Sequence, residues 1–482
     1  MTMNVTTSYL KCALVIMLFS SFRTQNEKVS ESAKPNIIWI IAEDLSPDFN
    51  FNGNLALQSP FVDSLASIGK YYSGMYATGV ACSPSRTAFA TGYYQNTIGA
   101  HHMRYPEHLK PALPDSILPV HVRLMEVGYQ TANITSFPGN GKTDWQFDYP
   151  AQSYDHDEWK DINPDKPFFV RINLRLTHRP FESDPARPVD PASIVLPPYI
   201  PDHEVSRKDW VDYFESIQVL DGQIATIVNE IRQNGLGKNT LIFFFSDHGR
   251  PMSRAKNYLY DSGLNVPLIV FSLDENLTEN YELYGEETGL FSLIDVSKTA
   301  LELGEVTTVK TQGRSVLGDS GRDYLWAAAD RIGEVFFKSR MIRNSKFKYI
   351  RNYNHNFSIN EATTAYTKAN YPVYHLYNAL SEHGKLLPIQ QQILEQMEPE
   401  ELYDLESDPY EVNNLFKNTS YLEVLEQMRT QLDQVTVSIN DMGLKTDSES
   451  IIRAFDQYGD DSYRSQKSKI EKLKYEVSQT ID

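Results

Sequence analysis

At 482 residues the chain exceeds a single ordinary core, so one large domain with a smaller companion is the expectation. A hydrophobic content of 41% permits a substantial core, while a formal net charge of −18 argues against nucleic-acid binding, which wants a basic face. The 29 tyrosines and 23 phenylalanines suit a carbohydrate-facing surface and any packed core equally, so they exclude nothing.

Lys11 precedes a short apolar run, Cys12 to Phe19, too brief to span a bilayer and patterned as a signal peptide over residues 1–24. No later stretch could span a membrane, so the mature chain is expected to lack a transmembrane segment. Export places the mature protein in a periplasmic or secreted setting, or a lysosomal one in a eukaryote. Cleavage removes Cys12 and leaves Cys82 as the single cysteine, a thiol with no internal disulfide partner in an oxidising compartment.

Residues 24–34 are polar. After Pro35-Asn36 the run Ile37 to Ile41 is continuously apolar, as in a strand buried on both faces, and it ends at Glu43-Asp44. Ser59-Pro60 opens a helical pattern with Phe61, Leu65 and Ile68. Cys82-Ser83-Pro84-Ser85-Arg86 opens another, with a proline in the first turn where its missing N–H is not needed. A third apolar run, Phe168 to Leu176, alternates more and leads to Thr177-His178. Tyr213 to Ile231 is the clearest amphipathic helix, closed by Asn234-Gly235. Leu241 to Phe245 is a second wholly apolar strand, ending at Asp247-His248. Strands alternating with helices predict a mostly parallel sheet covered on both faces, with sites outside the carboxyl ends of its strands.

Past Gly321 the texture changes. Arg340 to Arg343, Phe347 to Arg351 and a tyrosine-rich region reaching Tyr377 suggest short antiparallel strands. Glu401 to Leu415 follows, then a helix carrying Leu422, Leu425, Met428 and Leu432. The tail beyond Asp447 is charged, with at best a weak helix near Ile470 and Leu473.

The pentapeptide at Cys82 resembles the C-x-P-S-R signature of the type I sulfatases, and motifs in family order extend the resemblance over roughly residues 35–415. Taken alone, a lone cysteine is also an ordinary small core residue. The resemblance implies an alkaline-phosphatase-like α/β catalytic domain over 35–325 and a smaller C-terminal α/β subdomain with an antiparallel sheet over 326–470. It further implies that a maturation enzyme converts Cys82 to formylglycine, whose hydrate attacks sulfur. A geminal diol solves a chemical problem, because its second hydroxyl can expel sulfate and regenerate the aldehyde. Helix N-termini favour anions, and Arg86 stands one turn on from Cys82 with a fork suited to an oxyanion.

By the same resemblance, Glu43, Asp44, Cys82, Asp247 and His248 hold one divalent cation, expected to be calcium because carboxylate oxygens suit it. Glu43 stands where the family usually has Asp, one methylene shorter, and the nitrogen of His248 leaves room for a transition metal. Without the resemblance, acidic residues at either strand end are equally what wet loops carry. Lys142, in a Lys-Thr-Asp-Trp unit, and Lys256, ahead of Leu259-Tyr260, are implied to join Arg86 as catalytic sulfate-binding cations. Together they supply the local positive field that the net charge lacks. His178 is the implied general acid, since imidazole titrates near working pH. His101, with its neighbours His102 and Arg104, is expected to contact substrate.

The motif set most resembles the N-sulfoglucosamine sulfohydrolase branch and bacterial relatives that degrade sulfated polysaccharides. The expected substrate is a sulfated carbohydrate, such as ulvan or a glycosaminoglycan, carrying an O-sulfate. Two alternatives stand beside it: a phosphonate or phosphate monoester hydrolase of the same fold, and a glycan-binding relative whose Cys82 stays a thiol.

Overall fold

The computed structural model describes residues 34–150 and 153–481; the expected signal peptide lies outside them. Its centre is a seven-stranded sheet whose strands are β1 (Asn36–Ala42), β2 (Lys70–Tyr72), β3 (Gln130–Ile134), β4 (Phe168–Leu174), β5 (Thr240–Ser246), β6 (Leu268–Ser272) and β7 (Gly285–Glu287). They run in the order β3-β4-β1-β5-β6-β2-β7. The pairs β3/β4, β4/β1, β1/β5 and β2/β7 are parallel, and β6 is antiparallel to both β5 and β2. The mostly parallel sheet is therefore as expected.

The side chains of β1 explain why it sits inside the sheet, between β4 and β5. Ile38 and Ile40 enter one apolar cluster with Val62 and Leu65 of α1 (Pro60–Ile68). The same cluster holds Ile217, Leu220, Ile224, Ile227, Val228 and Ile231, the predicted stripe of a helix that runs over Glu204–Gln233. Ile37, Trp39 and Ile41 enter the opposite cluster with Phe89, Leu124 and Ala300. These come from α2 (Cys82–Thr91), α3 (Val120–Glu126) and a helix at Asp295–Leu303; the Glu204–Gln233 helix is α4 and the last is α5. A strand with apolar side chains on both faces requires two apolar layers, and helices supply both.

Register then positions the site. Ala42 pairs with Leu174 on one side and Ser246 on the other. The residues just past these three strands, Glu43-Asp44, Arg175 and Asp247-His248, thus emerge side by side at one edge.

A second, antiparallel sheet contains β8 (Leu325–Ile332), β9 (Val335–Arg343), β10 (Phe347–Asn352) and β11 (Glu400–Asp404), in that order. Two expectations for this region need correction. The tyrosine-rich stretch is helical, forming α6 (Ala365–Asn370) and α7 (Pro372–Glu382). On α7, Val373, Leu376, Tyr377 and Leu380 bury one face at helical spacing, a period hidden by the β-favouring tyrosines. After α8 (Leu422–Ser438), the tail is no weak turn but α9, a 30-residue helix spanning Glu449–Ser478. Ser448 caps it by accepting the Ile451 N–H. It packs on α6 and α7, with Val477 set among Leu376 and Leu380 of α7, and the boundary expected at residue 470 falls inside it. Among the described residues no helix is long and apolar enough to cross a membrane.

Candidate active site

Helix α2 opens in the protein interior. Ala81 precedes it in extended conformation without a side-chain cap, every residue from Cys82 to Thr91 is buried, and Pro84 occupies the first turn. The Cys82 Sγ lies 3.2 Å from His248 Nε2, 3.5 Å from Lys256 Nζ and 3.6 Å from Asp44 Oδ1. Arg86, one turn along, donates through Nε to Asp247 Oδ2 at 2.8 Å and through Nη1 to Asn173 Oδ1 at 2.6 Å, and its Nη2 stands 3.4 Å from Glu43 Oε1. Burial disfavours its charge, but Asp247 and Glu43 outweigh that and hold the guanidinium firmly protonated.

One donor atom each from Asp44, Cys82, Asp247 and His248 falls within 4.8 Å of all the others. Local geometry aims them. Asp44 sits in the left-handed region (φ 53°), and Asp247 Oδ1 accepts both the Asp44 and the His248 N–H, each at 3.0 Å. His248 donates Nδ1–H to the Gly249 carbonyl at 2.9 Å, which leaves Nε2 facing Asp44 Oδ1 at 3.0 Å. Gly249 permits this turn because a Cβ there would meet the Ser262 carbonyl oxygen at 2.2 Å. Burial would depress the His248 pKa, yet Asp247 and Asp44 raise it to about 10. Burial pushes the Asp44 carboxyl up, but Lys256, His178 and His248 together hold it well below the usual carboxylate range. The negative field that favours imidazolium here is one a divalent cation would also satisfy, and two carboxylates with an imidazole are fitting donors.

Glu43 lies outside this group of donors. Its longer side chain carries Oε1 to Lys142 Nζ at 2.9 Å and towards Arg86, while Oε2 is buried without a partner. An orphaned carboxylate oxygen beside the cluster fits a cation-binding edge.

A cavity of about 660 Å³ adjoins these groups, and its walls include Arg104, Lys142, His178, Lys256, Tyr366 and Tyr458. Lys256 Nζ contacts both Asp44 oxygens, at 2.9 and 2.6 Å. Burial opposes the charge of both lysines, but Cys82 with Glu43 at Lys142, and Asp44 with Cys82 at Lys256, raise their pKa values. His178 donates Nδ1–H to the Arg179 carbonyl at 2.7 Å, leaving Nε2 as its acceptor. Burial lowers its pKa, against the pull of Asp44. Arg104 reaches the cavity wall with its fork on Asp144, Nε to Oδ1 at 2.8 Å and Nη2 to Oδ2 at 2.9 Å, and Nε also meets Ser83 Oγ at 3.2 Å.

His101 and His102 correct an expectation, because neither lines the cavity. Met103 pairs with the β8 edge, its N–H donating to the Arg331 carbonyl at 2.8 Å, so the two histidines turn inward while Arg104 turns out. His102 Nε2 holds Asp447 Oδ1 at 2.9 Å, and its Nδ1 accepts the Arg331 N–H at 3.3 Å. His101 packs against it with ring centroids 4.3 Å apart, and burial lowers its pKa to about 3. His102 thereby ties the start of the C-terminal tail to the second sheet.

Sequence reasoning missed Asn173, Asp144 and the tyrosines Tyr366, Tyr371 and Tyr458 of the cavity wall. Asn173 carried a signal, since a polar amide in an otherwise buried strand must be hydrogen-bonded. The tyrosines come from α6, the α6–α7 junction and α9, where no local motif marks them.

Residues 35–306 match the family model described as Sulfatase. An ulvan-active sulfatase from Formosa agariphila is 30% identical, covering 89% of this chain and 80% of that protein. Human N-sulphoglucosamine sulphohydrolase is 21% identical over 83% of this chain and 89% of its own. A solved structure in complex with its substrate D-glucosamine-2-N,6-O-disulfate superposes with a TM-score of 0.61 at 16% identity, covering 86% of this chain and 100% of the other; at that identity it speaks for the fold alone. With more than half of its length matching the family model, this chain belongs to the sulfatase family and is a sulfuric ester hydrolase.

Proposed function

We propose that this sulfatase removes an O-sulfate from a sulfated carbohydrate, with Cys82 as the position of its nucleophile. The observation that carries the reading is the convergence on Cys82 Sγ of a cation (Lys256), a carboxylate (Asp44) and an imidazole (His248), at the start of a buried helix. The substrate class is supported by relatives named as an ulvan-active sulfatase and N-sulphoglucosamine sulphohydrolase.

After maturation to formylglycine, the aldehyde hydrate at position 82 supplies one hydroxyl for attack on sulfur and a second to expel sulfate. A divalent cation, when held by Asp44, Asp247 and His248 with Glu43 beside them, supplies neutralisation of sulfate charge and acidification of that hydrate. The protein's own groups do the rest. Lys142 and Lys256 draw the anionic ester into the cavity. Arg86, locked between Asp247, Asn173 and Glu43, keeps the nucleophile's carboxylate neighbours in place. His178, in protonated form, gives the Nε2 proton to the departing sugar oxygen, with its ring oriented by the Arg179 carbonyl. Arg104 and the tyrosines of the cavity wall hold the sugar. The reading also requires a formylglycine-generating partner and, from the apolar run at Cys12 to Phe19, export to the periplasm or beyond.

The test is release of free sulfate from defined sulfated oligosaccharides, alongside aryl sulfate, phosphate and phosphonate esters, with peptide mass of position 82 measured on the same sample. Sulfate release by the converted protein supports the reading. Turnover confined to phosphorus esters moves it to a phosphonate or phosphate hydrolase, and inactivity of fully converted protein towards every ester sinks it.

A further inference from the structure

The cations of the cavity wall are not all paired within the protein. Arg104, Lys142, Arg175 and Lys256 line it, against the carboxylates of Glu43 and Glu334. Three of these cations are engaged: Lys142 with Glu43 at 2.9 Å, Lys256 with Asp44 at 2.6 Å and Arg104 with Asp144 at 2.8 Å. Arg175 is not, since among the described residues its exposed guanidinium has no ion-pair or hydrogen-bond partner.

Its backbone, by contrast, is pinned. Arg175 follows the last residue of β4, donates its N–H to the Pro138 carbonyl at 2.9 Å and accepts the His178 N–H at 3.0 Å. A free guanidinium on a fixed main chain, three residues before the proposed general acid, is prepared to bind rather than to brace. An exposed arginine elsewhere would merely be solvated. Here it faces a cavity of about 660 Å³, a size that takes a drug-sized ligand and so more than one sugar ring. Guanidinium forks pair two-pronged with carboxylate and sulfate oxygens.

The geometry points to Arg175 as a specificity-determining residue that reads a second anionic group on the saccharide, a carboxylate or a further sulfate apart from the one removed. The inference rests on the proposed reading of this cavity as the saccharide site.

Three matched sulfated disaccharides test it: one with a uronic acid as the neighbouring sugar, the same compound carboxyl-reduced to a neutral sugar, and the neutral compound bearing a second sulfate. Wild type and Arg175→Gln are compared by sulfate release, with 4-nitrophenyl sulfate as a simple ester. Wild type should favour a doubly anionic substrate over the neutral-neighbour one by roughly ten- to a hundredfold in kcat/KM, as a charge-assisted pair contributes. Arg175→Gln should remove most of that preference, chiefly through KM, and Arg175→Lys should restore part of it. Which dianion is preferred identifies the group read. A preference that survives in Arg175→Gln, or an equal loss on every substrate, overturns the inference, as does a wild type that hydrolyses all the esters without preferring a dianion. A converted wild type that hydrolyses none, 4-nitrophenyl sulfate included, overturns the reading of the cavity and this inference with it.

Discussion

Cys82 and His178 illustrate two different kinds of dependence on a single side chain. Cys82→Ala removes one sulfur atom from a buried helix start without orphaning any obligatory hydrogen bond. Turnover should therefore vanish while the thermal midpoint stays within a few degrees, and appreciable sulfate release by the variant would remove Cys82 from the mechanism. His178→Gln should cost about 10²–10⁴-fold on a sugar sulfate, whose alkoxide needs a proton, and far less on 4-nitrophenyl sulfate, whose phenolate does not. Equal losses on both esters would instead assign His178 to binding. Of the residues expected from sequence, Asp44, Asp247 and His248 come together because each follows a buried strand, Cys82 and Arg86 because they open a buried helix, and Lys142, His178 and Lys256 because the loops beyond the strands fold back over the same edge. Glu43 joins them through its cations. His101 and His102 do not join, because whether a loop histidine turns in or out is set by the Met103–Arg331 pairing, a contact 228 positions away in sequence.

At the scale of elements, α9 helps to close the cavity, to which it brings Tyr458 and Ser462. Phe455 is buried against the rings of His102 and Tyr105, with centroids 5.5 and 6.1 Å away, and Arg331 stands over it at 5.8 Å. One turn further along the helix, Tyr458 reaches the cavity. Phe455→Ala should cost about 3–5 kcal/mol in urea unfolding and raise KM for an oligosaccharide more than for a small aryl ester. A variant with wild-type KM for both would show that α9 does not shape the saccharide site. This helix was illegible in sequence because its buried positions are few. Phe455 and Gly459 are buried by the His102–Tyr105 rings and Glu334, and Val477 by Leu376 and Leu380 of α7, so the buried positions share no single local pattern. The α4 stripe needed no such help, with a buried residue on nearly every turn from Tyr213 to Ile231.

The whole molecule should register acid through its buried histidines. His101 and His121 are both held neutral by burial, with pKa values lowered to about 3 from an ordinary 6.5. Between those limits the unfolded chain binds more protons than the folded one, so stability rises with pH and falls on acidification below about 6.5. Each should contribute on the order of 1 kcal/mol per pH unit in that window. The urea midpoint should drop from pH 6.5 to 5, and His121→Gln, which can still meet Ser153, should flatten the slope. A midpoint that rises on acidification contradicts the assignment. Metal removal acts on the same scale. Treatment with a chelator should lower both sulfate release and the thermal midpoint, and added Ca²⁺ should restore them, since an ion bound only by the folded state stabilises it. Full activity in the chelated protein would rule out the ligand set.

What the sequence determined by itself was the sheet and the chemistry at its edge. Runs such as Asn36–Ala42 and Thr240–Ser246 have nowhere to go but the middle of a two-sided layer, and parallel pairing then delivers their trailing polar residues to one edge. Tertiary structure alone decided the walls of the cavity. The tyrosines from the C-terminal helices, the inward turn of His101 and His102, and the exposure of the Arg175 fork to the cavity all depend on which distant segment packs against which, and no local periodicity encodes such contacts.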